Sequence, residues 1–195
     1  MDRNTLNEIL KILPDDFSFK AVFEEPENEV SKDCEVLILG IGKHKIELIN
    51  GKYRPKNNDE LKALCDIDSI ELDDIDTSRV TDMSRIFESS NRKDFSGIES
   101  WNVSNVVNMY GMFSGCRWFN VDISGWNVEN VEDMEEMFCG AEQFHHSLNE
   151  WNINNKVNIQ GIFADTNYPK KYIESWREKV GQEMFEKAFI KENKR

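Results

Sequence analysis

Several patterns that define common protein classes are missing from this sequence of 195 residues. No run approaches the roughly 20 apolar residues that a membrane span needs, so no membrane span is expected. The first residues, MDRNTLNEILKILPDDF, lack a basic start and a long apolar run, which predicts a chain without a signal peptide and a cytoplasmic location. None of the four cysteines forms a CxxC pair, which predicts buried free thiols rather than a disulfide scaffold. They are Cys34, Cys65, Cys116 and Cys139.

Positive charge is also scarce. The chain has 24 Lys and Arg against 37 Asp and Glu, for a net charge of −13. Residues 68–167 alone carry 18 acidic and 6 basic side chains. A surface of this sign repels phosphate backbones, so nucleic acid is not expected as a partner, whereas a basic protein is. The alternative is that the excess of acid only keeps an elongated domain soluble.

The residue combinations that carry catalysis or hold cofactors are missing as well. The glycine-rich step Gly40–Gly42 lacks the third glycine of a dinucleotide site and predicts a hairpin instead. His145 and His146 are adjacent, so they are not spaced as two metal ligands on one face would be. The acidic run DDID at 73–76 lacks EF-hand spacing. Since repeats supply symmetric columns rather than one asymmetric set of groups, we expect no catalytic residue, no metal, no cofactor and no enzyme.

What the sequence does contain is an internal repeat. Trp101, Trp126 and Trp151 stand 25 residues apart, and Ile75 takes the same position 26 residues before the first of them. Such a period is typical of repeat architectures, in which each copy buries its apolar face only against its neighbours. Three more columns share the period: Met83, Met109, Met134 and Ile159; Ile86, Met112, Met137 and Ile162; and Phe87, Phe113, Phe138 and Phe163.

Within each copy the apolar spacing changes from that of a strand to that of a helix. Trp126 and Val128 are two residues apart, which places both side chains on one face of a strand. Val131, Met134 and Met137 follow at helical or 3₁₀ spacing. This pattern predicts an α/β repeat solenoid of about four coils of 25 residues. Asparagine recurs at the bend, where its side chain can bond the backbone of an adjacent coil, at Asn105, Asn130 and Asn155.

The repeat strings resemble those of the BspA-like leucine-rich repeat family. They read WNVSNVVNMYGMFSGC at 101–116, FNVDISGWNVENVEDMEEMFCGA at 119–141 and WNINNKVNIQGIF at 151–163. The lead-in ELKALCDIDSIELDDIDTSRVTDMSRIF at 60–87 resembles the usual entry into such arrays, so the resemblance covers about 60–167. It implies a leucine-rich-repeat-like fold and a bacterial source. Members of the family are described as surface or adhesion proteins, so the resemblance also implies the cell surface as an alternative location.

The chain divides into three parts around the predicted solenoid at 58–167. A small α+β unit is expected at 1–57, with a short helix at 5–13 and two strands, CEVLILGIG and HKIELING, later in it. A helical C-terminal cap is expected at 168–195.

Each end of a solenoid needs a cap, because an open end exposes apolar surface and unpaired backbone. Asn58 or Asp59 is predicted to be the N-cap of a short capping helix at the first end. Pro169 predicts the first turn of a helix at the other end. Gly181 is expected to end or kink that second helix.

The outward positions of the predicted strands form the one candidate functional surface. They carry acids and amides. We expect a non-enzymatic protein–protein interaction module that holds a basic or polar protein partner on this acidic, Asn-rich strand face. Two alternatives stay open: a bacterial surface adhesin, which the resemblance implies, and a passive scaffold for a functional unit at 1–57. The predicted partner-binding residues are Asp73, Asp74, Asp76, Glu99, Asn102, Asn127, Glu129, Asn149 and Asn152.

Overall fold

The computed structural model describes residues 36–189 of the chain. A small sheet comes first, a short helix follows, and a long helix ends the described part after the repeats. The helix predicted at 5–13 lies outside the described residues. The elements are β1 (Val36–Ile41), β2 (His44–Ile49), β3 (Lys52–Arg54), α1 (Asn58–Cys65), the 3₁₀ helices Leu72–Asp74 and Ile98–Ser100, and α2 (Lys170–Phe189).

The hairpin predicted around Gly40–Gly42 is confirmed. Strands β1 and β2 pair antiparallel along their whole length, and Gly42 turns the chain with a φ of 56°. Strand β3 was not predicted, because three residues are too few for an alternating pattern to stand out. It pairs antiparallel with β2, and Tyr53 makes a parallel bridge to Ile75. The three-stranded sheet is therefore joined to the start of the repeats.

Backbone hydrogen bonds link equivalent positions of the repeat copies in order. We number the copies 1–4 and begin them at Ile75, Trp101, Trp126 and Trp151. In copies 1–3, alternate amides donate to carbonyls about 25 residues further along the chain, so each copy presents a row of donors to the next. The donors and acceptors are Met83 to Asn108, Arg85 to Tyr110, Phe87 to Met112 and Ser89 to Ser114; then Met109 to Asp133, Gly111 to Glu135, Phe113 to Met137 and Gly115 to Cys139; then Met134 to Asn158, Glu136 to Gln160, Phe138 to Ile162 and Gly140 to Ala164.

The predicted strand at 126–128 is wrong. The Trp126 amide donates back to the Ile123 carbonyl at 3.1 Å, and the Asn127 side chain accepts from the Glu129 amide at 3.2 Å. These local bonds use the backbone in turns, so the segment is not in a strand. The parallel bridges between copies lie further along, at Asp82, Asn108, Asp133 and Asn158.

The segments predicted to be helical are successive turns rather than helices. In copy 2 the Met112 amide donates to Met109 and the Ser114 amide to Gly111, each three residues back. Gly111 has a φ of 56°, and Glu136 at the equivalent position of copy 3 has 54°. A left-handed residue in each turn interrupts any helix, since a helix needs negative φ throughout. The methionine spacing of three therefore comes from turns.

The methionine columns belong to the core, as the repeat predicts. Met109, Met112, Met134 and Met137 are fully buried. They pack beside the buried Trp and Phe columns in one continuous apolar cluster. Because each copy is too thin to enclose these side chains alone, the cluster exists only through the contacts between copies.

Two ladders of aromatic rings run through this core. In the first, the Phe113 ring centroid lies 5.7 Å from that of Phe87 and 5.6 Å from that of Phe138, with the rings close to parallel. The second was missed in the sequence, although Phe119 and Phe144 share the 25-residue period. Their centroids lie 5.4 Å apart. Such offset contacts add to the free energy gained from burial of the rings.

Helix α1 covers the first end of the repeats. Its N-cap is Asn57, whose side-chain oxygen accepts a hydrogen bond from the helix backbone. The prediction of Asn58 or Asp59 as N-cap is therefore wrong by one or two positions. Asn58 instead donates its side-chain amide to the carbonyls of Asp82 and Ser84, at 3.3 and 2.8 Å.

Lys62 of α1 extends this cap. Its Nζ donates to the carbonyls of Arg85 and Ile86, both at 3.2 Å. In later copies the carbonyls equivalent to Asp82, Ser84 and Ile86 accept amides of the preceding copy. Helix α1 thus supplies side-chain donors where copy 1 has no preceding copy, which satisfies otherwise unpaired backbone groups.

Helix α2 packs on copy 4. It begins directly after Pro169, as predicted, and Gly181 interrupts it with φ 75° and ψ 164°, which confirms the predicted break. Trp176 is fully buried, and its ring meets that of Phe163 edge-on at 5.5 Å. This contact anchors the first half of α2 to the last ring of the Phe column.

Gly97 is the position where the fold most directly requires glycine. Its φ is 92°, and a Cβ there would lie 2.6 Å from the backbone nitrogen of Asp73. We expect Gly97→Ala to lower the free energy of unfolding by roughly 2–3 kcal/mol, because it adds both backbone strain and overlap. Chemical denaturation measures this loss. Gly125→Ala is the control, since a Cβ there meets nothing within 4 Å; equal losses in the two variants would contradict the prediction.

Candidate functional site

The predicted partner-binding residues lie beside the corner that each copy makes at its Trp column. In every copy the amide at this position donates to the carbonyl three residues back, at 3.1–3.2 Å. Two of these turns are the 3₁₀ helices Leu72–Asp74 and Ile98–Ser100. We call the predicted residues beside these corners the corner strip: Asp73, Asp74, Asp76, Glu99, Asn102, Asn127, Glu129, Asn149 and Asn152.

The Trp side chains tie each corner to the one before it. The rings are almost completely buried, and each indole N–H donates to the carbonyl that also closes the turn of the preceding copy. A buried indole needs such a partner, since an unpaired donor in the core is costly. The bonds run from Trp101 to Leu72 at 2.7 Å, from Trp126 to Ile98 at 3.3 Å and from Trp151 to Ile123 at 3.0 Å.

Three strip residues also close the turn that follows the Trp column. The side-chain oxygens of Asp76, Asn102 and Asn127 each accept the amide two residues further on, at 3.0–3.2 Å. Such an Asx turn holds the side chain against its own backbone. Asn152 does not form it, and Asn154 forms the turn in copy 4 instead. In copies 1–3, the residues predicted to contact a partner at this position therefore also stabilise the fold.

Asparagine side chains at the bend join neighbouring copies at two of the three predicted positions, whereas Asn155 forms no such bond with the described residues. Asn105 donates its side-chain amide to the Ser78 carbonyl at 2.9 Å, and Asn130 donates to Ser104 at 2.8 Å. These bonds lie beside the strip and fix the spacing of successive corners.

Asp76 is the least accessible acid of the strip and is already paired. Nε of Arg54 lies 2.9 Å from its Oδ2, an ion pair between half-buried side chains. Burial opposes ionisation of Asp76, but hydrogen bonds from Ser78 and the charge of Arg54 outweigh it and lower the pKa of the carboxyl group. Asp76 therefore stabilises the contact between the three-stranded sheet and copy 1.

The other four acids of the strip are exposed. Among residues 36–189, no Lys or Arg forms an ion pair with the carboxylates of Asp73, Asp74, Glu99 or Glu129. Glu99 accepts only the nearby Gly97 amide, at 2.9 Å. The strip therefore keeps uncompensated negative charge at its surface.

Basic side chains of the chain itself lie on both ends of the strip. At the copy 1 end, Lys52 Nζ donates to the Asp73 carbonyl at 2.6 Å, beside the Arg54 ion pair. At the copy 4 end, Lys179 Nζ donates to the carbonyls of Asn149 and Trp151. The corner geometry thus combines outward carbonyls with carboxylates in an arrangement that binds ammonium and guanidinium groups.

The middle of the strip carries no such cover. Asn102, Asn127 and Glu129 are exposed in copies 2 and 3. No basic side chain of the described residues forms a hydrogen bond or an ion pair with them. Asn149 is only half-exposed, because its Oδ1 accepts a hydrogen bond from Ser175 of α2 at 2.5 Å. The structure therefore separates the predicted residues into covered ends and an open centre.

The other features considered in the sequence are potential metal ligands and the cysteines. Within residues 36–189, no three His, Cys, Asp or Glu side chains are grouped as a metal would require. Cys65 and Cys116 are buried thiols, as predicted, whereas Cys139 is only half-buried and Cys34 lies outside the described residues. Burial raises the pKa of Cys116 to about 12, which keeps the thiol protonated and unreactive. No helix in this part of the chain is long and apolar enough to cross a membrane.

The basic residues that bind the strip were not predicted from the sequence. Lys52 and Arg54 lie in the unpredicted strand β3, and Lys179 lies in α2. Nothing in the spacing indicated which face of either element meets the repeats. The repeated Trp column was the available signal for the corner itself, since a buried indole must find an acceptor.

Comparison with known proteins identifies the repeat region. No curated protein and no solved structure matches the chain. One family model matches residues 59–176, more than half of the chain, and it is a repeat family of the BspA-like leucine-rich type. The chain therefore belongs to the family described as Mycoplasma protein of unknown function, DUF285.

Proposed function

We propose that the four copies form a leucine-rich-repeat-like solenoid that acts as a non-enzymatic protein-binding module. Its partner is a basic protein segment, which lies along the corner strip. The central residues Glu99, Asn102, Asn127 and Glu129 contact Lys and Arg side chains of that segment. Function then depends on the row of corners rather than on a single pocket.

One observation carries this proposal. Lys52 and Lys179 of the chain itself donate to corner carbonyls at opposite ends of the strip, and Arg54 pairs with Asp76. Copies 2 and 3 repeat the same turns, and no cation from residues 36–189 binds there. The basic side chains of a partner would bind the central corners in the same way as the basic side chains of β3 and α2 bind the corners at the two ends.

The chemistry of the strip favours a basic protein segment as the ligand. Its exposed amides and carbonyls bond peptide groups, and its carboxylates attract Lys and Arg. Each exposed ion pair contributes only about 0.2–1 kcal/mol, so binding needs several contacts and weakens with salt.

The test uses a deca-lysine peptide and a Glu99→Lys/Glu129→Lys variant. Both side chains are exposed. We expect the wild-type protein to bind the peptide and the variant to bind it about tenfold more weakly, because attraction becomes repulsion at two central positions. Isothermal titration calorimetry at low and moderate salt measures both affinities, and denaturation confirms that the variant is folded.

The matched control is Asp68→Lys/Glu132→Lys. These acids are also exposed and are not part of the corner strip, and the two replacements change the net charge by the same amount. The control is expected to bind the peptide nearly as well as the wild type. An equal loss in both variants would mean that only overall charge attracts the peptide, and the proposal would then be wrong.

A further inference from the structure

Within the described part of the chain, two amides in the donor row of copy 4 lack the acceptors that their counterparts in copies 1–3 have. In copies 1–3, the equivalent amides each donate to a carbonyl of the next copy. The corresponding amides of copy 4 include those of Ile159 and Gly161. Neither donates a hydrogen bond to any of residues 36–189. An amide row of this kind is a template for pairing with another extended backbone.

The opposite end of the repeats is not open in this way. The carbonyls of Asp82, Ser84 and Ile86 accept from the side chains of Asn58 and Lys62. The two ends therefore differ: α1 occupies the acceptor edge of copy 1, whereas the donor edge of copy 4 keeps unpaired amides.

A cavity adjoins the donor edge. It has a volume of about 460 Å³ and lies between copy 4 and the part of α2 around the Gly181 break. Apolar side chains from both sides line it, namely Val157, Ile159, Val180 and Met184. Polar residues, including Asn158 and Gln160, stand at the same cavity. Such a combination of backbone donors with a cavity that is lined in part by apolar side chains is suited to an extended peptide.

We propose that this edge binds an extended segment of a partner protein. Carbonyls of the segment accept from Ile159 and Gly161, and one apolar side chain enters the cavity beside Val180 and Met184. The hydrogen bonds between copies 1 and 2, 2 and 3, and 3 and 4 indicate the register in which the segment would pair. In each of them, amides of every second residue donate to carbonyls of every second residue in the next copy. Main-chain bonds supply affinity in this mode, and the cavity supplies selectivity.

A second copy of this chain is a poor occupant. Head-to-tail stacking would need the free carbonyl row of its copy 1, and α1 covers that row through Asn58 and Lys62. The net charge of −13 also makes two copies repel each other. A segment from another protein meets neither obstacle.

The first test measures amide hydrogen exchange in the full chain without a partner. We expect the amides of Ile159 and Gly161 to exchange at least about tenfold faster than those of Met134 and Glu136, their hydrogen-bonded counterparts in copy 3. Equal protection in dilute protein would mean that the chain itself covers the edge. Protection that grows with protein concentration would mean that a second copy covers it. Either result would overturn the proposal.

The second test adds a neutral peptide, VNMYGMFSG, with blocked ends. Its sequence is that of residues 107–115, whose carbonyls accept from copy 1 within the fold. We expect saturating peptide to slow exchange at Ile159 and Gly161 about tenfold and to leave Met134 unchanged. No slowing at these two amides would overturn the proposal.

Variants of α2 test the cavity. Met184→Arg places a charge in the cavity and is expected to abolish the slowing, whereas Glu178→Arg, at an exposed position of the same helix, is expected to preserve it. Equal peptide binding by the two variants would contradict the role of the cavity. The Glu99→Lys/Glu129→Lys variant is expected to bind this peptide normally, so failure here and failure of the corner strip are distinguishable.

Discussion

Replacement of Arg92 by alanine is expected to lower the free energy of unfolding by about 3–5 kcal/mol. The guanidinium group is buried, with the residue only 8% exposed. Nε donates to the Asp94 carbonyl at 2.6 Å, and Nη2 donates to Ile70 at 2.8 Å. Nη1 lies 3.4 Å from the carbonyls of both Cys65 and Ile67. Truncation would leave four carbonyls without this donor, and those of Cys65 and Ile70 accept it in buried bonds that water reaches poorly.

The physical reason is the asymmetry between making and losing a buried hydrogen bond. A made bond contributes modestly, but a buried group that loses its partner keeps the full cost of desolvation. Arg92 joins the end of α1, at Cys65, to the loop of copy 1 that contains Asp94, so its loss also loosens the cap on copy 1. Chemical denaturation of the full chain measures the change.

Two comparison variants make the Arg92 prediction specific. Arg92→Lys keeps the charge but lacks the planar fork, so we expect it to recover only part of the stability. Arg117→Ala removes an arginine whose side chain is 72% exposed and pairs with Glu142 on the surface. Its expected cost is below about 1 kcal/mol. An Arg92→Ala loss no larger than that of Arg117→Ala would contradict the prediction.

Trp126→Ala is expected to cost about 3–5 kcal/mol, the usual range for removal of a large buried aromatic side chain. Trp126 lies in a middle copy, is 4% exposed, and contacts the Phe113 ring at a centroid distance of 6.3 Å. Its indole N–H donates to the Ile98 carbonyl at 3.3 Å. The substitution therefore opens a cavity between copies and removes a bond that sets their register.

Trp126→Phe separates these two contributions. Phenylalanine keeps most of the apolar contact but removes the indole bond to the Ile98 carbonyl, which keeps only the Trp101 amide as a donor, so the expected loss is about 1–3 kcal/mol. Trp118→Ala is the control, because that ring is 51% exposed and its loss should change stability by less than about 1 kcal/mol. Equal destabilisation by Trp118→Ala and Trp126→Ala, measured by chemical denaturation, would refute the assigned role of the Trp column.

The local structure of each copy shows where spacing alone misleads. Trp126 and Val128 alternate as strand residues do, yet Asn127 closes an Asx turn between them. Apolar side chains two apart can face the core from a turn as well as from a strand. The competing local bond of asparagine decided the outcome, and it is the kind of bond that sequence periodicity does not reveal.

The candidate site was predictable in composition but not in accessibility. The acidic and amide columns follow from the repeat register, so Glu99 and Glu129 could be named from the sequence. That Asp76 is paired with Arg54 and that Asn149 is half-covered by α2 could not. Both facts depend on how elements outside the repeat dock on its ends, where no periodicity constrains them.

The sequence by itself determined the repeat, its 25-residue period and the buried Trp, Met and Phe columns, because burial requires apolar residues at regular positions. The tertiary structure alone decided which backbone segments pair, how α1 covers the acceptor edge of copy 1, and which amides of copy 4 stay unpaired. Hydrogen bonds between copies are directional and use the backbone, which every residue shares. The residue types therefore do not indicate where these bonds form, and only the packed copies show it.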